Sequence, residues 1–342
     1  MKAVRFHEHG GRDVLAYEQV DDPVPGDDEV LVRVRACGLN HFDIDLRENV
    51  ARWPLPLPWT LGVEFAGEIV AAGSSVATHS EGDRVWVLHE IPCLECRYCL
   101  DGKDNICEAA RMFSVQMPGG YAELVSAPAS AVYPLHDAVS FEAAAAGQIV
   151  FTTAWHMLVT RGKVQAGETV LVSAGGSGVG HAAIQIAKYA GARVITTAGS
   201  QEKLEAASAD GADHVINHRE EDVTERALEL NGGRPVDLVI EHVGGEQLGA
   251  CLGTLRKDGR LVTCGAHGGE VVPFDVIPLF RNEWQLIGSR TGTTAETRMV
   301  MDLIADGTFT PRVHAALPLA EASEAMRIIE EREQFGKVVL IP

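Results

Sequence analysis

Two textures follow one another along the chain. Up to about residue 125 the apolar positions fall in short runs, Glu29 to Val34, Gly67 to Val70 and Arg84 to Val87, cut by Asp-Pro, Pro-Gly and Gly-Asp pairs. Runs of that length between turn formers predict short strands and a small, mostly β domain. From Gly167 the pattern alternates. Val170 to Ser173 is an apolar strand, and Gly178 to Ala190 has helical spacing at Val179, Ala182, Ala183, Ile186 and Ala187. Arg193 to Thr197, His214 to Asn217, Val236 to Glu241, Arg260 to Cys264 and Gln285 to Ser289 read as further strands, with helices at Lys203 to Ala209 and Asp222 to Leu230. Strand and helix in alternation predict an α/β domain on a doubly wound parallel sheet. The last fifty or so residues return to short elements and end on Lys337 to Ile341, a strand expected to fold back onto the first domain. The expected division is 1–125 with 292–342, and 126–291. No internal repeat or low-complexity segment interrupts this order.

Composition narrows the partners. A chain of 342 residues exceeds what one core usually supports, and no apolar stretch reaches the roughly 18 to 20 residues that span a bilayer. The start, Met1-Lys2-Ala3-Val4-Arg5-Phe6, runs straight into polar residues, unlike a secretory leader. The expectation is a cytoplasmic protein that engages no membrane. A net charge of −19 speaks against nucleic acid, whose phosphates need a basic surface. Only 7 lysines occur among the 29 basic residues, a balance that suits a halophilic protein soluble at high salt or, more simply, a GC-rich genome.

The segment Ala174-Gly175-Gly176-Ser177-Gly178-Val179-Gly180 links a strand to a helix. Gly175, Gly178 and Gly180 occupy the first, fourth and sixth positions of a G-x-G-x-x-G fingerprint, with Ser177 at its middle glycine. Such a turn puts backbone N–H groups and a helix N-terminus where a pyrophosphate can lie. A bare motif also fits a tight turn that binds nothing, but here the whole strand-turn-helix-strand unit from Val170 to Thr197 is present. The second strand ends in Ala198-Gly199-Ser200 without the acidic residue that would hold an NAD ribose. Ser200, Lys203 and Arg219 could instead meet a 2′-phosphate, so NADPH is expected ahead of NADH; otherwise Lys203 and Arg219 are solvated surface charges.

Cys93, Cys96, Cys99 and Cys107 follow C-x2-C-x2-C-x7-C in a loop at about 90–110. Four thiolates so spaced predict a closed, structural Zn2+ site; disulfides or an iron–sulfur cluster are the alternatives. Cys37, Cys251 and Cys264 lie in or beside strand-like runs and read as buried small hydrophobes.

With these motifs, Gly38-Leu39-Asn40-His41-Phe42-Asp43, Gly62-Val63-Glu64-Phe65-Ala66-Gly67 and Thr153-Ala154-Trp155 make the whole chain resemble the medium-chain dehydrogenase/reductase superfamily, of the zinc-containing alcohol dehydrogenase and quinone oxidoreductase type. The resemblance implies a GroES-like β-barrel catalytic domain, a Rossmann NAD(P)-binding domain, and a homodimer or homotetramer. It also implies a dinucleotide held by Thr153, Gly175, Gly176, Ser177, Gly178, Val179, Gly180, Ser200, Lys203 and Arg219, with Lys337 near the pyrophosphate.

The chain departs from the alcohol dehydrogenases where their catalytic zinc ligands stand. Asn40 replaces a cysteine, Val63 a histidine, and Ile149 is the best match to the third ligand. Aliphatic side chains cannot coordinate a metal. The Gly-Leu-Asn-His-x-Asp segment instead resembles the quinone reductases, which lack that zinc. The expected roles are Asn40 as amide donor to an acceptor carbonyl, Asp43 as a brace for the local backbone, and Gln148 as a wall of the nicotinamide pocket. The expected function is NADPH-dependent hydride transfer to a quinone or α,β-unsaturated carbonyl, with one structural Zn2+ and no catalytic metal. Alcohol dehydrogenation is the alternative, and a low-turnover nucleotide-binding scaffold or sensor the third.

Overall fold

The computed structural model describes residues 1–342, which divide into two units: Met1–Ile149 with Met301–Pro342, and Val150–Val300. Both boundaries lie beyond those expected from sequence. At the first, strands Leu124–Pro128 and Val132–Pro134 pair with Glu29–Gly38 and Arg84–Val87, which draws the residues after 125 into the first unit. At the second, Glu296 of the helix Thr294–Ala305 lies 2.8 Å from His156 Nδ1, so residues 292–300 stay with the second unit.

The first unit is built on a seven-stranded sheet in which Glu29–Gly38 is flanked by Glu64–Ala72 and Lys337–Ile341. Along Glu29–Gly38 the valines Val30, Val32 and Val34 are buried while Arg33 and Arg35 face solvent, the alternation a one-sided strand requires. That alternation ends at Ala36-Cys37-Gly38, where all three are buried. Gly38 is confined there, since a Cβ would fall 1.9 Å from the Ala145 carbonyl oxygen. The C-terminal strand pairs antiparallel at Val339↔Gly38 and Leu340↔Cys37, so the tail does return to this unit and carries Lys337 to the end of the Glu29–Gly38 strand.

The helix His41–Arg47 starts immediately after. The Asn40 backbone N–H donates to Asp43 Oδ2 at 2.9 Å, closing a capping box. At its other end Arg47 is fully buried and its Nη1 donates to Glu330 at 2.8 Å, fixing this helix to Ala322–Glu330.

The second unit carries six parallel strands in the spatial order His214–Asn217, Arg193–Ala198, Thr169–Val172, Val236–Glu241, Leu255–Thr263, Gln285–Gly288. Strands covered on both faces read as continuous apolar runs, and Val170, Leu171, Val172, Leu238, Val239 and Ile240 are all fully buried. The order runs outward from Thr169–Val172 to one edge and then restarts at Val236–Glu241 on its other side. This reversal opens a crevice beyond the carboxyl ends of those two strands, where doubly wound sheets bind ligands. No helix in the protein is long and apolar enough to cross a membrane.

Candidate functional site

The glycine turn opens onto that crevice. Gly175 and Gly180 are dictated by space: a Cβ on Gly175 would lie 2.3 Å from Thr196 Oγ1, and one on Gly180 2.2 Å from the Ala174 carbonyl oxygen. Thr197 anchors the turn, its Oγ1 accepting the Ala174 N–H at 3.0 Å and its carbonyl the Gly175 N–H at 2.8 Å. Ser177 is the N-cap of the helix Gly178–Tyr189, its Oγ accepting the Gly180 N–H at 2.9 Å. The N-terminal end of this helix therefore presents partial positive charge toward the crevice. Thr153 is buried in the last turn of the helix Phe141–Trp155.

A second feature stands at the end of Arg193–Ala198. No carboxylate occupies this strand end; Gly199 and Ser200 follow, and Ser200 caps the helix Gln201–Ala209. The Arg219 guanidinium lies over Gly199, its Nε 2.9 Å from where a Cβ would stand, with His218 Nε2 at 3.2 Å from the same point. Arg219 donates its backbone N–H to Asn217 Oδ1, and its guanidinium has no carboxylate partner. Ser200, Arg219 and His218 thus surround a corner suited to an anion.

In the first unit, the residues singled out by sequence meet in a buried ionic centre. Lys337 Nζ donates to the Leu39 carbonyl at 2.5 Å, to Asn40 Oδ1 at 2.7 Å and to Glu64 Oε2 at 2.9 Å. Glu64 Oε2 also accepts from Asn40 Nδ2 at 3.0 Å, and Oε1 accepts the Ile149 N–H at 2.8 Å. Glu64 is fully buried and Lys337 nearly so; Asn40 is the member that solvent reaches. The ammonium expected near a pyrophosphate is thus consumed by three acceptors of its own unit. Asp43 is also fully buried, its two oxygens holding the backbone N–H groups of Asn40 and Gly62, and burial pushes its carboxyl up to about 6. Gln148, fully buried, donates from Nε2 to the Val87 carbonyl at 2.9 Å.

The four cysteines converge. Their sulfurs all lie within 4.8 Å of one another, with separations of 3.4 Å for Cys93–Cys107, 3.6 Å for Cys96–Cys99, and 3.9 Å for Cys93–Cys99 and Cys96–Cys107. Corners of a tetrahedron with bonds of about 2.3 Å stand roughly 3.8 Å apart, so the set fits one thiolate-bound zinc. The Cys93 and Cys96 backbone N–H groups donate to the sulfurs of Cys107 and Cys93, each at 3.3 Å. Such bonds stabilise thiolate ligands.

One pairing and one residue were missed in the sequence. Glu64 and Lys337 lie 273 positions apart and no local signal pairs them. His242, at the end of Val236–Glu241, has its Nε2 2.6 Å from Ser177 Oγ; its place just past an apolar strand end was the available clue.

Comparison with known proteins is consistent with both halves. A model for the alcohol dehydrogenase GroES-like domain matches residues 26–137, and one for zinc-binding dehydrogenases matches residues 178–306. The chain is 32% identical to an NAD-dependent alcohol dehydrogenase of Sulfurisphaera tokodaii, covering 100% of both proteins. It is 31% identical to the quinone oxidoreductase of Homo sapiens, covering 100% of this chain and 98% of that one. The chain belongs to the medium-chain dehydrogenase/reductase superfamily. A solved structure of an NAD-dependent alcohol dehydrogenase superposes with a TM-score of 0.94 at 36% identity, with 100% of each chain covered.

As a medium-chain dehydrogenase/reductase, the protein is an NAD(P)-dependent oxidoreductase with a GroES-like domain and a Rossmann domain. The catalytic zinc of the superfamily's alcohol dehydrogenases does not fit the residues present. Val63 and Ile149 offer no donor side chain, and both Glu64 oxygens are engaged, one of them by an ammonium. The Cys93–Cys107 set is the one group of three or more His, Cys, Asp or Glu side chains arranged to hold a metal ion.

Proposed function

We propose that this protein is an NADPH-dependent reductase of quinones or α,β-unsaturated carbonyls that works without a catalytic metal and carries one structural Zn2+ in its cysteine lobe. The observation that carries the reading is the Asn40–Glu64–Lys337 centre. A Lewis acid is what makes an alcohol acidic enough to lose hydride, and here the cation beside Asn40 is a buried ammonium held by a carboxylate. An acceptor that is already electron-poor needs less: a hydride donor held against it and a hydrogen bond to its carbonyl. The bound nicotinamide supplies the hydride.

Asn40 can furnish the hydrogen bond, with a constraint the sequence did not reveal. One N–H of its amide is spent on Glu64, while the Gly38 carbonyl competes for the other only weakly, at 3.4 Å. Lys337 on the amide oxygen draws electron density from the nitrogen, and hydrogen bonds in series polarise one another. This offsets the electron density that the Glu64 carboxylate returns through the first N–H, so the second N–H stays available as a donor. Glu64 and Asp43 act behind it, the first by fixing Lys337 and the amide, the second by fixing the backbone.

The NADPH preference rests on Arg219, Ser200 and the absence of a carboxylate after Ala198. The homodimer or homotetramer rests on the edge strand Gln285–Gly288 and the apolar side chains exposed before it, Val271 (88%), Val276 (58%) and Phe280 (62%). Unpaired edges beside apolar surface favour a second copy.

The decisive experiment measures metal content and turnover together. One zinc per chain, NADPH oxidation with quinones or enones, and no alcohol oxidation are expected. A second zinc whose removal abolishes activity would establish alcohol dehydrogenation instead. Tight NADPH binding without turnover on quinones, enones or aldehydes would favour the scaffold.

A further inference from the structure

The dinucleotide fingerprint carries a serine where its middle glycine belongs, and that serine is not isolated. Ser177 Oγ accepts the Gly180 N–H at 2.9 Å and lies 2.6 Å from His242 Nε2. His242 is buried, with 9% of its surface exposed. It follows the last residue of Val236–Glu241, the strand paired beside Thr169–Val172, which leads into the glycine turn. Its position is fixed by Glu241, whose Oε1 accepts the backbone N–H groups of Val243 and Gly244 at 2.7 and 2.8 Å and whose Oε2 accepts from Thr263 Oγ1 at 3.0 Å.

The ring's other nitrogen, Nδ1, is out of solvent and has no hydrogen-bond partner. That decides where the proton resides. A buried N–H without an acceptor is rarer and costlier than a buried lone pair without a donor. The neutral ring therefore keeps its hydrogen on Nε2 and donates it to Ser177 Oγ. The hydroxyl oxygen then receives two donors, Gly180 N–H and His242 Nε2–H, and both its lone pairs are occupied. What remains is the Ser177 O–H, which has no acceptor within the protein and stands at the N-terminus of a twelve-residue helix.

We propose that His242 is a positioning residue for dinucleotide binding: by filling the second lone pair of Ser177 Oγ it commits the serine hydroxyl to donate to an anionic oxygen, that of the dinucleotide pyrophosphate. The serine then adds a side-chain donor to the backbone N–H groups at the turn, a contact that the glycine of the usual fingerprint cannot make. This rests on the turn being the dinucleotide site, and the test separates the two claims.

The full-length, zinc-loaded protein is titrated with NADPH, NADH and ADP-ribose, the last carrying the pyrophosphate without the nicotinamide. His242→Leu is expected to weaken all three about tenfold, as loss of a hydrogen bond to a charged group does, while melting at the wild-type temperature. His242→Gln, whose Nε2 can donate to the same oxygen, is expected to restore affinity to within about threefold. In a Ser177→Gly background, His242→Leu is expected to have no further effect. The proposal is overturned by wild-type ADP-ribose affinity in His242→Leu, by His242→Gln binding as weakly as His242→Leu, or by the same tenfold loss in the Ser177→Gly background. Failure of the wild-type protein to bind any of the three ligands would overturn the dinucleotide reading along with it.

Discussion

The Lys337 ammonium and the Glu64 carboxylate stand 2.9 Å apart with almost no access to water, 273 residues apart in the chain. Burying two opposite charges contributes little net stability against an apolar pair, yet removing one strands the other. Lys337→Met is therefore expected to destabilise the first unit by about 3 to 5 kcal/mol. Glu64→Gln should do similar damage, and the double variant should recover much of the loss. Urea unfolding of the four proteins measures this as a double-mutant cycle; additive losses would show that the two residues act independently.

The same centre gives a kinetic expectation. If Asn40 donates to the acceptor, Asn40→Ala should lower kcat/KM for a quinone roughly 100-fold, as removal of an oxyanion donor does, and leave the dinucleotide Kd unchanged. Steady-state kinetics beside a binding titration distinguishes this from a role in cofactor binding, which would move the Kd instead.

Two buried groups titrate in opposite senses over the same pH range. Burial pushes Asp43 up to about 6 from an ordinary value near 3.8, so the folded state binds the extra proton and stability falls as pH rises from about 4 to 6. Burial, with His267 nearby, pulls His242 down to about 4 from 6.5, so the unfolded state binds the extra proton and stability falls as pH drops from about 6.5 to 4. Each amounts to about 3 kcal/mol across its window, and in the intact protein the two largely cancel. Relative to the wild type, Asp43→Asn should lose more stability on acidification through this window, and His242→Gln should lose less. Melts at pH 4, 5, 6 and 7 test both signs.

The cysteine lobe gives a prediction separable from catalysis. The four sulfurs already stand near tetrahedral spacing, so one zinc per chain should co-purify, and titrating the thiolates with a mercurial should release it. Cys96→Ser should lower both zinc content and the melting temperature while changing kcat little in protein that remains folded. A variant with full zinc content would show that the lobe holds its shape by other means.

Much of this architecture is legible locally. Short-range periodicity located the strands from Val170 onward because a parallel sheet buries both strand faces, and the Gly175–Gly180 turn and the cysteine spacing are contiguous motifs. The domain boundaries were less legible. Leu124–Pro128 joins the first unit through pairing with Glu29–Gly38, about a hundred residues earlier, and pairing at that range leaves no periodic trace. The same holds for Lys337. Its Gly-Lys-Val context resembles a cofactor contact, but strand pairing at Leu340↔Cys37 delivers its ammonium to Glu64. Local pattern identifies which residues carry chemistry, and tertiary pairing decides which of them meet.

Cofactor choice is the remaining consequence of local geometry. An acidic residue at the end of Arg193–Ala198 would accept from ribose hydroxyls and repel a 2′-phosphate, whereas this chain offers Gly199, Ser200 and a guanidinium with no carboxylate partner. Arg219→Ala should therefore raise KM for NADPH by one to two orders of magnitude, about the loss of 1.5 to 3 kcal/mol expected for a charge-assisted hydrogen bond. KM for NADH should stay within about twofold, because NADH has no 2′-phosphate for Arg219 to meet. The placement also predicts a salt effect: NADPH affinity should decline with ionic strength more steeply in the wild type than in Arg219→Ala, since a partly exposed ion pair is screened. Equal KM changes for the two cofactors would assign Arg219 to the fold of the strand end, and a wild-type preference for NADH would remove the 2′-phosphate from this corner altogether.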